Sequence, residues 1–277
     1  METTAGLFKY FDPSKLDFFE KGLLLLTPPI YMNDPWDFRP KGRTPSEAEI
    51  RQAWLENESE IAPASVLAVP ADFLHRQRQE RLEMMRADAG TNQFLAEQGE
   101  NYQREIGKVV GLTCFTEKPL CRLMWAHYGQ SHAGFVAEFD ADEQFDQDGF
   151  DARGMGSGPV AVKVKYLTTY HQQITEDASN ILAVLCTKHR AWDYEAEWRV
   201  IAPLARAIRY KLIKGDGERF CVPFKPGNLR RVIFGMRMNT ENKKRLLAML
   251  AMREYNHVRQ ETTNVEPDSG ELVLGPI

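Results

Sequence analysis

Val109-Val110-Gly111-Leu112-Thr113-Cys114-Phe115-Thr116 is the stretch on which the fold turns. It carries no charge and is rich in β-branched and aromatic residues, the composition of a buried strand. Upstream of it the reading is helical. Ser46-x-x-Glu49 behind Pro45 has the form of a capping box, and Ile50, Trp54 and Leu55 mark an apolar helix stripe. Two charged helices are expected over about 71–88 and 92–107, with Gly90 between them. Downstream the period becomes two. Pro119 to Tyr128 reads as a short helix, Gly134 to Phe139 as a strand, and Pro159 to Tyr166 alternates valines with lysines. A helix is expected at about 174–187. Glu195 to Ile201 alternates again, which places Ala196, Trp198 and Val200 inward and Glu195, Glu197 and Arg199 on the opposite, half-exposed face.

Arg209 to Ile213 and Arg219 to Phe224 flank Gly215-Asp216-Gly217, a hairpin signal. A strand at 229–235, a helix at 240–254 and two short strands complete this half. Toward the N-terminus, Leu7 to Tyr10 is strand-like, a helix starts near Ser14, and Gly22 stops it before the apolar run Leu23 to Leu26. Pro28-Pro29 and Asn33-Asp34-Pro35 are turn signals. The fold class is α+β with mixed or mainly antiparallel sheets, since the βαβ rhythm of a doubly wound sheet is missing. A single domain over 1–277 is expected, with 44–107 as a peripheral helical insertion.

The 277 residues are 43% hydrophobic and 27% charged, which excludes a disordered, collagen-like or disulfide-dense chain. The run Leu23 to Leu26 is far shorter than the roughly 20 residues of a membrane span. The first ten residues show no basic segment leading into an apolar one, so no secretory signal, no membrane and a cytoplasmic location are expected. Cys114, Cys121, Cys186 and Cys221 form no CxxC pair and read as reduced thiols.

The net charge of −4 hides a block structure. Residues 1–187 carry 18 basic and 28 acidic side chains, and residues 188–260 carry 17 and 7. One consequence would be an anionic ligand, a nucleotide or nucleic acid, in a basic cleft built from Arg199, Arg209, Lys211 and Arg230. The other would be attraction between the two blocks inside one fold.

Several motifs carry chemistry. Gly154-Met155-Gly156-Ser157-Gly158 precedes a strand and lacks a following Gly-Lys-Ser/Thr, so it reads as a connector and not a phosphate loop. Cys114, Cys121, His127 and His132 have only one pair at an ordinary zinc spacing, so the cysteines read as core residues and no metal is expected. In Trp125-Ala126-His127-Tyr128 the last two rings cannot both point inward, which leaves one for a cleft. Trp192-Asp193-Tyr194-Glu195-Ala196-Glu197-Trp198-Arg199 is the densest cluster. Glu197 and Arg199 can pair, and a Glu-x-Glu on a strand can steady an oxocarbenium ion while a glycosidic bond breaks.

Phe8-Lys9-Tyr10, Asn33-Asp34-Pro35-Trp36-Asp37, Cys114-Phe115-Thr116, Trp125-x-His127-Tyr128, His132-x-Gly134 and Tyr194-Glu195-x-Glu197-Trp198-Arg199 occur in that order. Together they resemble the bacterial family catalogued as domain of unknown function 2971. A second resemblance is to the ADP-ribosyltransferase superfamily, with its first-strand NAD-holding residue, central-strand Ser/Thr and late catalytic Glu. Lys9-Tyr10 is similar to the first element, Thr116 to the second and Glu195-x-Glu197 to the third, but there is no first-strand Arg or His and no Ser-Thr-Ser.

What these resemblances imply is an ADP-ribosyltransferase-like protein of a bacterial toxin or phage-defence type, with NAD as its substrate. Glu197 and Glu195 are then the catalytic candidates. Lys9, Tyr10, Asn33, Asp34, Thr116, His127, Tyr128 and Arg199 are the candidates for holding the nucleotide. Two other classes stay open: a nucleotide or nucleic-acid sensing module without turnover, and a metal-dependent nuclease.

Overall fold

The computed structural model describes residues 6–34, 36–39, 76, 92–140, 161–168, 183–211 and 218–277. The first strand, β1 (Leu7–Phe11), is apolar at four of five positions and buried on both faces, which is the signature of a central strand. Asp12 accepts a hydrogen bond from the Ser14 N–H and opens a tight turn at Pro13–Lys15 that leads into α1 (Leu16–Phe19). Gly22, at φ 68°, ends this segment in a conformation that costs a glycine little. β2 (Leu23–Leu26), α2 (Asn92–Ile106), β3 (Val110–Thr116), α3 (Arg122–His127) and β4 (Phe135–Phe139) follow. The alternating stretch after residue 159 is split into β5 (Val162–Lys163) and β6 (Lys165–Leu167). The expected helix at 174–187 is helical over 183–185 and has already become strand β7 (Thr187–His189) at its end; its first part lies outside the described residues.

β8 (Glu197–Pro203), β9 (Ile208–Lys211), β10 (Glu218–Pro223), β11 (Leu229–Phe234), α4 (Thr240–Leu250), β12 (Arg259–Val265) and β13 (Leu272–Gly275) complete the order. The eight-stranded sheet runs β13-β12-β11-β4-β1-β3-β8-β5. All its pairs are antiparallel except β11 with β12, which are joined by the α4 crossover. β2, β10 and β9 form a second, antiparallel sheet, and β6 pairs with β7 in parallel. The α+β class expected from the sequence is what the chain adopts. β9 and β10 pair antiparallel as the hairpin signal requires, while the glycine turn itself, the capping box at Ser46, the helix near 71–88 and Gly154–Gly158 lie outside the described residues.

Both faces of the large sheet are covered. On one, Phe11, Phe115, Phe135, Phe139, Val200 and Val232 meet α1, the small sheet and α4. α4 buries Leu246, Met249 and Leu250, an i, i+3, i+4 stripe, and Asn239 caps it by accepting from the Asn242 N–H. The other face carries two separate apolar clusters. One gathers Tyr102 and Ile106 of α2 with Phe38, Val110, Leu112 and Ile201; the other gathers Met124 and Trp125 of α3 with Phe8, Tyr10, Val136 and Ile233. Polar side chains fill the seam between these two clusters.

β1 and β3 are joined at one register pair, Phe8 with Thr116, whereas β3 and β8 pair over seven. The sheet therefore opens between β1 and β3, and the opening faces the seam. Phe135 anchors the opposite side of β1: fully buried, its ring stacks on Phe11 at 4.7 Å and meets Phe19 edge-on at 4.9 Å. Phe135→Ala should destabilise the fold by about 3–5 kcal/mol, read as a lower midpoint of urea unfolding at unchanged slope.

Candidate functional site

Ala196 decides how the two glutamates enter the seam. Residues Arg190–Glu195 form a 3-10 turn, Ala196 adopts φ 42°, and β8 begins at Glu197. Glu195 and Glu197 are therefore not successive same-face residues of one strand, as the alternation suggested. A left-handed residue between turn and strand aims both carboxylates at the same place. The face they occupy is not half-exposed: Glu195 is 2% and Glu197 3% exposed, and Arg199 is fully buried. Trp198 points to the other face, against the main core, with its indole N–H donating to Glu117 Oε1 at 2.8 Å.

The buried charges are connected as one network. Arg199 donates from Nε and Nη2 to the two oxygens of Glu197 at 2.8 and 2.9 Å, and from Nη1 and Nη2 to Asp37 at 3.2 and 2.6 Å. Its Nη1 also donates to the Leu185 carbonyl at 2.6 Å, and its guanidinium lies 4.6 Å from the Phe38 ring centroid. Lys188 on β7 bridges the glutamates, 2.6 Å from Glu195 Oε2 and 3.3 Å from Glu197 Oε2, with its ammonium over the Trp192 ring. The Tyr128 hydroxyl donates to Glu195 Oε1 and accepts from Asn33 Nδ2 at 2.8 Å. Thr116 donates to the Glu195 carbonyl and accepts from the Lys118 N–H at 2.9 Å, while Tyr166 accepts the Glu197 N–H at 2.8 Å. Such pairing is what makes charge tolerable at this depth.

The network pushes its acids apart. Burial raises Glu195, and Lys188 only partly offsets it. For Glu197 burial acts in the same sense, but Arg199 and Lys188 overcome it and hold the carboxyl at about 2. Asp37 is pushed up to about 6, burial outweighing its Arg199 pairing. The charges beside it raise Lys188 against the effect of burial, so it stays an ammonium.

In front of these groups lies a cleft of about 100 Å³, lined in part by Lys9, Tyr10, Asn33, Thr116, Tyr128, Glu195 and Glu197. Seven of the ten residues singled out from the sequence thus share one cavity. Three do not line it. His127 is exposed at the end of α3, so of the two adjacent rings it is Tyr128 that turns to the cleft. Asp34 is buried, but it accepts from the Trp36 N–H and shapes the turn. Arg199 stands behind Glu197 as its counter-ion.

Among the described residues, the arginines expected to build a basic cleft do not line this one. Arg209 is exposed beside Glu218, Arg230 pairs with Asp140, and the side chain of Lys211 lies outside the described residues. The basic block pairs with the acidic one inside the fold: Arg199 with Asp37, Arg231 with Glu138, and Arg245 with Asp17 and Glu20. The cations lining the cleft are Lys9 and Lys188.

Lys188 and Asp37 were missed as site residues. A lysine two positions after the apolar run Ile181 to Cys186 was the available signal for the first; Asp37 stood within a quoted motif, but nothing local marks it as a partner 162 positions away. Of the zinc-like series, Cys114 lines the cleft, burial raises its thiol well above the ordinary value, and His132 stacks on Trp125 at 5.6 Å. All four cysteines are free. Among the described residues no group of three or more His, Cys, Asp and Glu converges as a metal site, and no helix is long and apolar enough to cross a membrane.

Residues 124–200 match the model of the family described as "Protein of unknown function (DUF2971)". The motif resemblance to that family holds over this stretch, which runs from α3 into β8 and contains Tyr128, Lys188, Glu195, Glu197 and Arg199. No curated protein and no solved structure matches the chain.

Arg199→Met should leave Asp37 buried without its counter-ion and Glu197 with Lys188 alone, and cost about 3–5 kcal/mol in urea unfolding at pH 7. Glu197 is held below its ordinary value of 4.5, so its contribution is complete above that pH and is lost as pH falls toward about 2. A pH series of unfolding midpoints should show the wild type losing stability over this range more steeply than Glu197→Gln.

Proposed function

We propose that the chain cleaves the nicotinamide–ribose bond of NAD and passes the ADP-ribosyl group to an acceptor. The observation that carries this reading is the pair Glu195 and Glu197, side by side at a small cleft and held in opposite protonation tendencies by their surroundings. Two carboxylates set apart in this way can take two roles in one reaction.

Bond cleavage expels neutral nicotinamide and leaves positive charge on the ribose. Asp37, Glu195 and Glu197 face Lys188 and Arg199, so the buried network carries one negative charge in excess when all five are ionised. A fixed excess anion in a site sheltered from water stabilises such a cation. Glu197, locked by Arg199, supplies position. Glu195, with its raised proton affinity, is the better base for removing a proton from the attacking hydroxyl, amine or water. Lys9, Tyr10, Asn33, Thr116 and Tyr128 supply the polar lining for the nucleotide.

Strained backbone supports a working site. Phe38, Gln130, Ser131, His132 and Ala196 have positive φ without being glycine, and each lies within four residues of Asp37, Tyr128, Glu195 or Glu197. Such conformations cost about 1–3 kcal/mol each and gather where side-chain placement matters more than stability.

A second reading, nucleotide sensing without turnover, draws on the saturation of Glu197: both its oxygens already accept from Arg199. Nicotinamide release and NAD binding, measured on the same protein, separate the two. Under the catalytic reading wild type releases nicotinamide, and Glu195→Gln lowers the rate by about 10²–10³-fold while remaining folded. Release should also fall as pH drops through about 6, because protonating Asp37 removes the excess negative charge. Binding without release would establish the sensing reading, and neither binding nor release would overturn both.

A further inference from the structure

We propose that the amine of Lys9 is a covalent carbonyl-capture site, forming an imine with the open-chain aldehyde of a small aldose in the cleft. Of the two cations that line the cleft, Lys188 bonds to both glutamates and Lys9 bonds to a backbone carbonyl instead. Lys9 reaches across the opening between β1 and β3, and its Nζ donates to the Cys114 carbonyl at 3.0 Å. The same nitrogen stands 5.8 Å from the Phe11 ring centroid and 5.4 Å from that of Phe115. Among the described residues no carboxylate is recorded within ion-pair distance of it, in contrast to Lys188 with two.

The carbonyl and the two ring faces favour the ammonium less than a paired carboxylate would, so the desolvation of this buried amine still tips it toward the neutral form. Burial lowers Lys9 below the ordinary lysine value, with Lys15 acting in the same sense and Cys114 and Glu197 against it. A neutral, desolvated lysine is the form that attacks carbonyl carbon.

The step balances within the cleft. The nitrogen lone pair adds to the aldehyde carbon and a proton moves from nitrogen to oxygen, giving a carbinolamine. Protonation of its hydroxyl then expels water and leaves the C=N bond. Glu195, whose proton affinity is raised by burial, is the acid in the same cavity that can supply and recover this proton. Tyr128 and Asn33 offer polar contacts to the hydroxyls of the aldose. The inference does not require NAD as substrate; if NAD is cleaved here, the open-chain form of ADP-ribose is one such aldose.

The test uses D-glyceraldehyde with sodium cyanoborohydride, which reduces an imine to a stable secondary amine, followed by peptide mass mapping. The expected result is labelling of the Lys9 peptide at least tenfold faster than any other lysine peptide, with the fast phase absent from Lys9→Arg. Circular dichroism establishes that the variant is folded; if it is not, the site distribution in the wild type decides alone. Labelling spread evenly over exposed lysines, or none at Lys9, overturns the proposal. Neither result bears on nicotinamide release, so the two readings stand or fall separately.

Discussion

Everything at the seam depends on one buried guanidinium. Arg199 contacts Asp37 from the segment after β2, the Leu185 carbonyl before β7 and Glu197 at the start of β8, three parts of the chain that do not otherwise form a ladder. A planar donor set is suited to this, since one cation can hold two carboxylates in bidentate fashion. A hydrophobic residue of similar size could fill the volume, but it would not define where the carboxylates sit. The two apolar clusters on this face leave the seam between them, and the ion network gives it a fixed shape.

Much of the fold is legible from hydrophobic period. The uncharged run 109–116 and the apolar stretch Val232 to Phe234 within 229–235 both read as strand, and the structure places β3 and β11 within a residue of the expected limits. The inner face of β8 was also legible, because Trp198 and Val200 pack on the main core. What could not be read was that its other face is covered as well. Alternation assigns the charged face to water by default, and a charged face turned into protein leaves the same pattern when its partners lie far away in sequence. Asp37 is 162 residues from Arg199, and Lys188 reaches Glu195 through a 3-10 turn that no period announces.

The charge blocks mislead for the same reason. A basic C-terminal part invites an anionic ligand, yet several of its bases pair with acids from earlier in the chain: Arg199 with Asp37, Arg230 with Asp140, Arg231 with Glu138, and Arg245 with Asp17 and Glu20. The exposed members of these pairs contribute little to stability in high dielectric, so their arrangement reflects complementarity more than strength. The cluster of rings and hydroxyls was a better guide. Tyr10, Thr116 and Tyr128 come together because β1, β3 and the end of α3 line the same opening.

The position of β1 constrains how the chain can reach this form. It is an interior strand of the large sheet, yet its neighbours β3 and β4 lie about a hundred residues or more downstream. During synthesis Leu7–Phe11 emerges with its apolar side chains and both hydrogen-bonding edges bare, and no native partner exists until residues 110–139 have followed. Pairing at such sequence separation is slow because a long loop must close first. The nascent segment is therefore an exposed strand template for that interval. Within it, Lys9 is the only charge among four large apolar and aromatic residues. The same lysine that the finished fold sets at its cleft serves, before the fold exists, as the one deterrent to adventitious strand pairing.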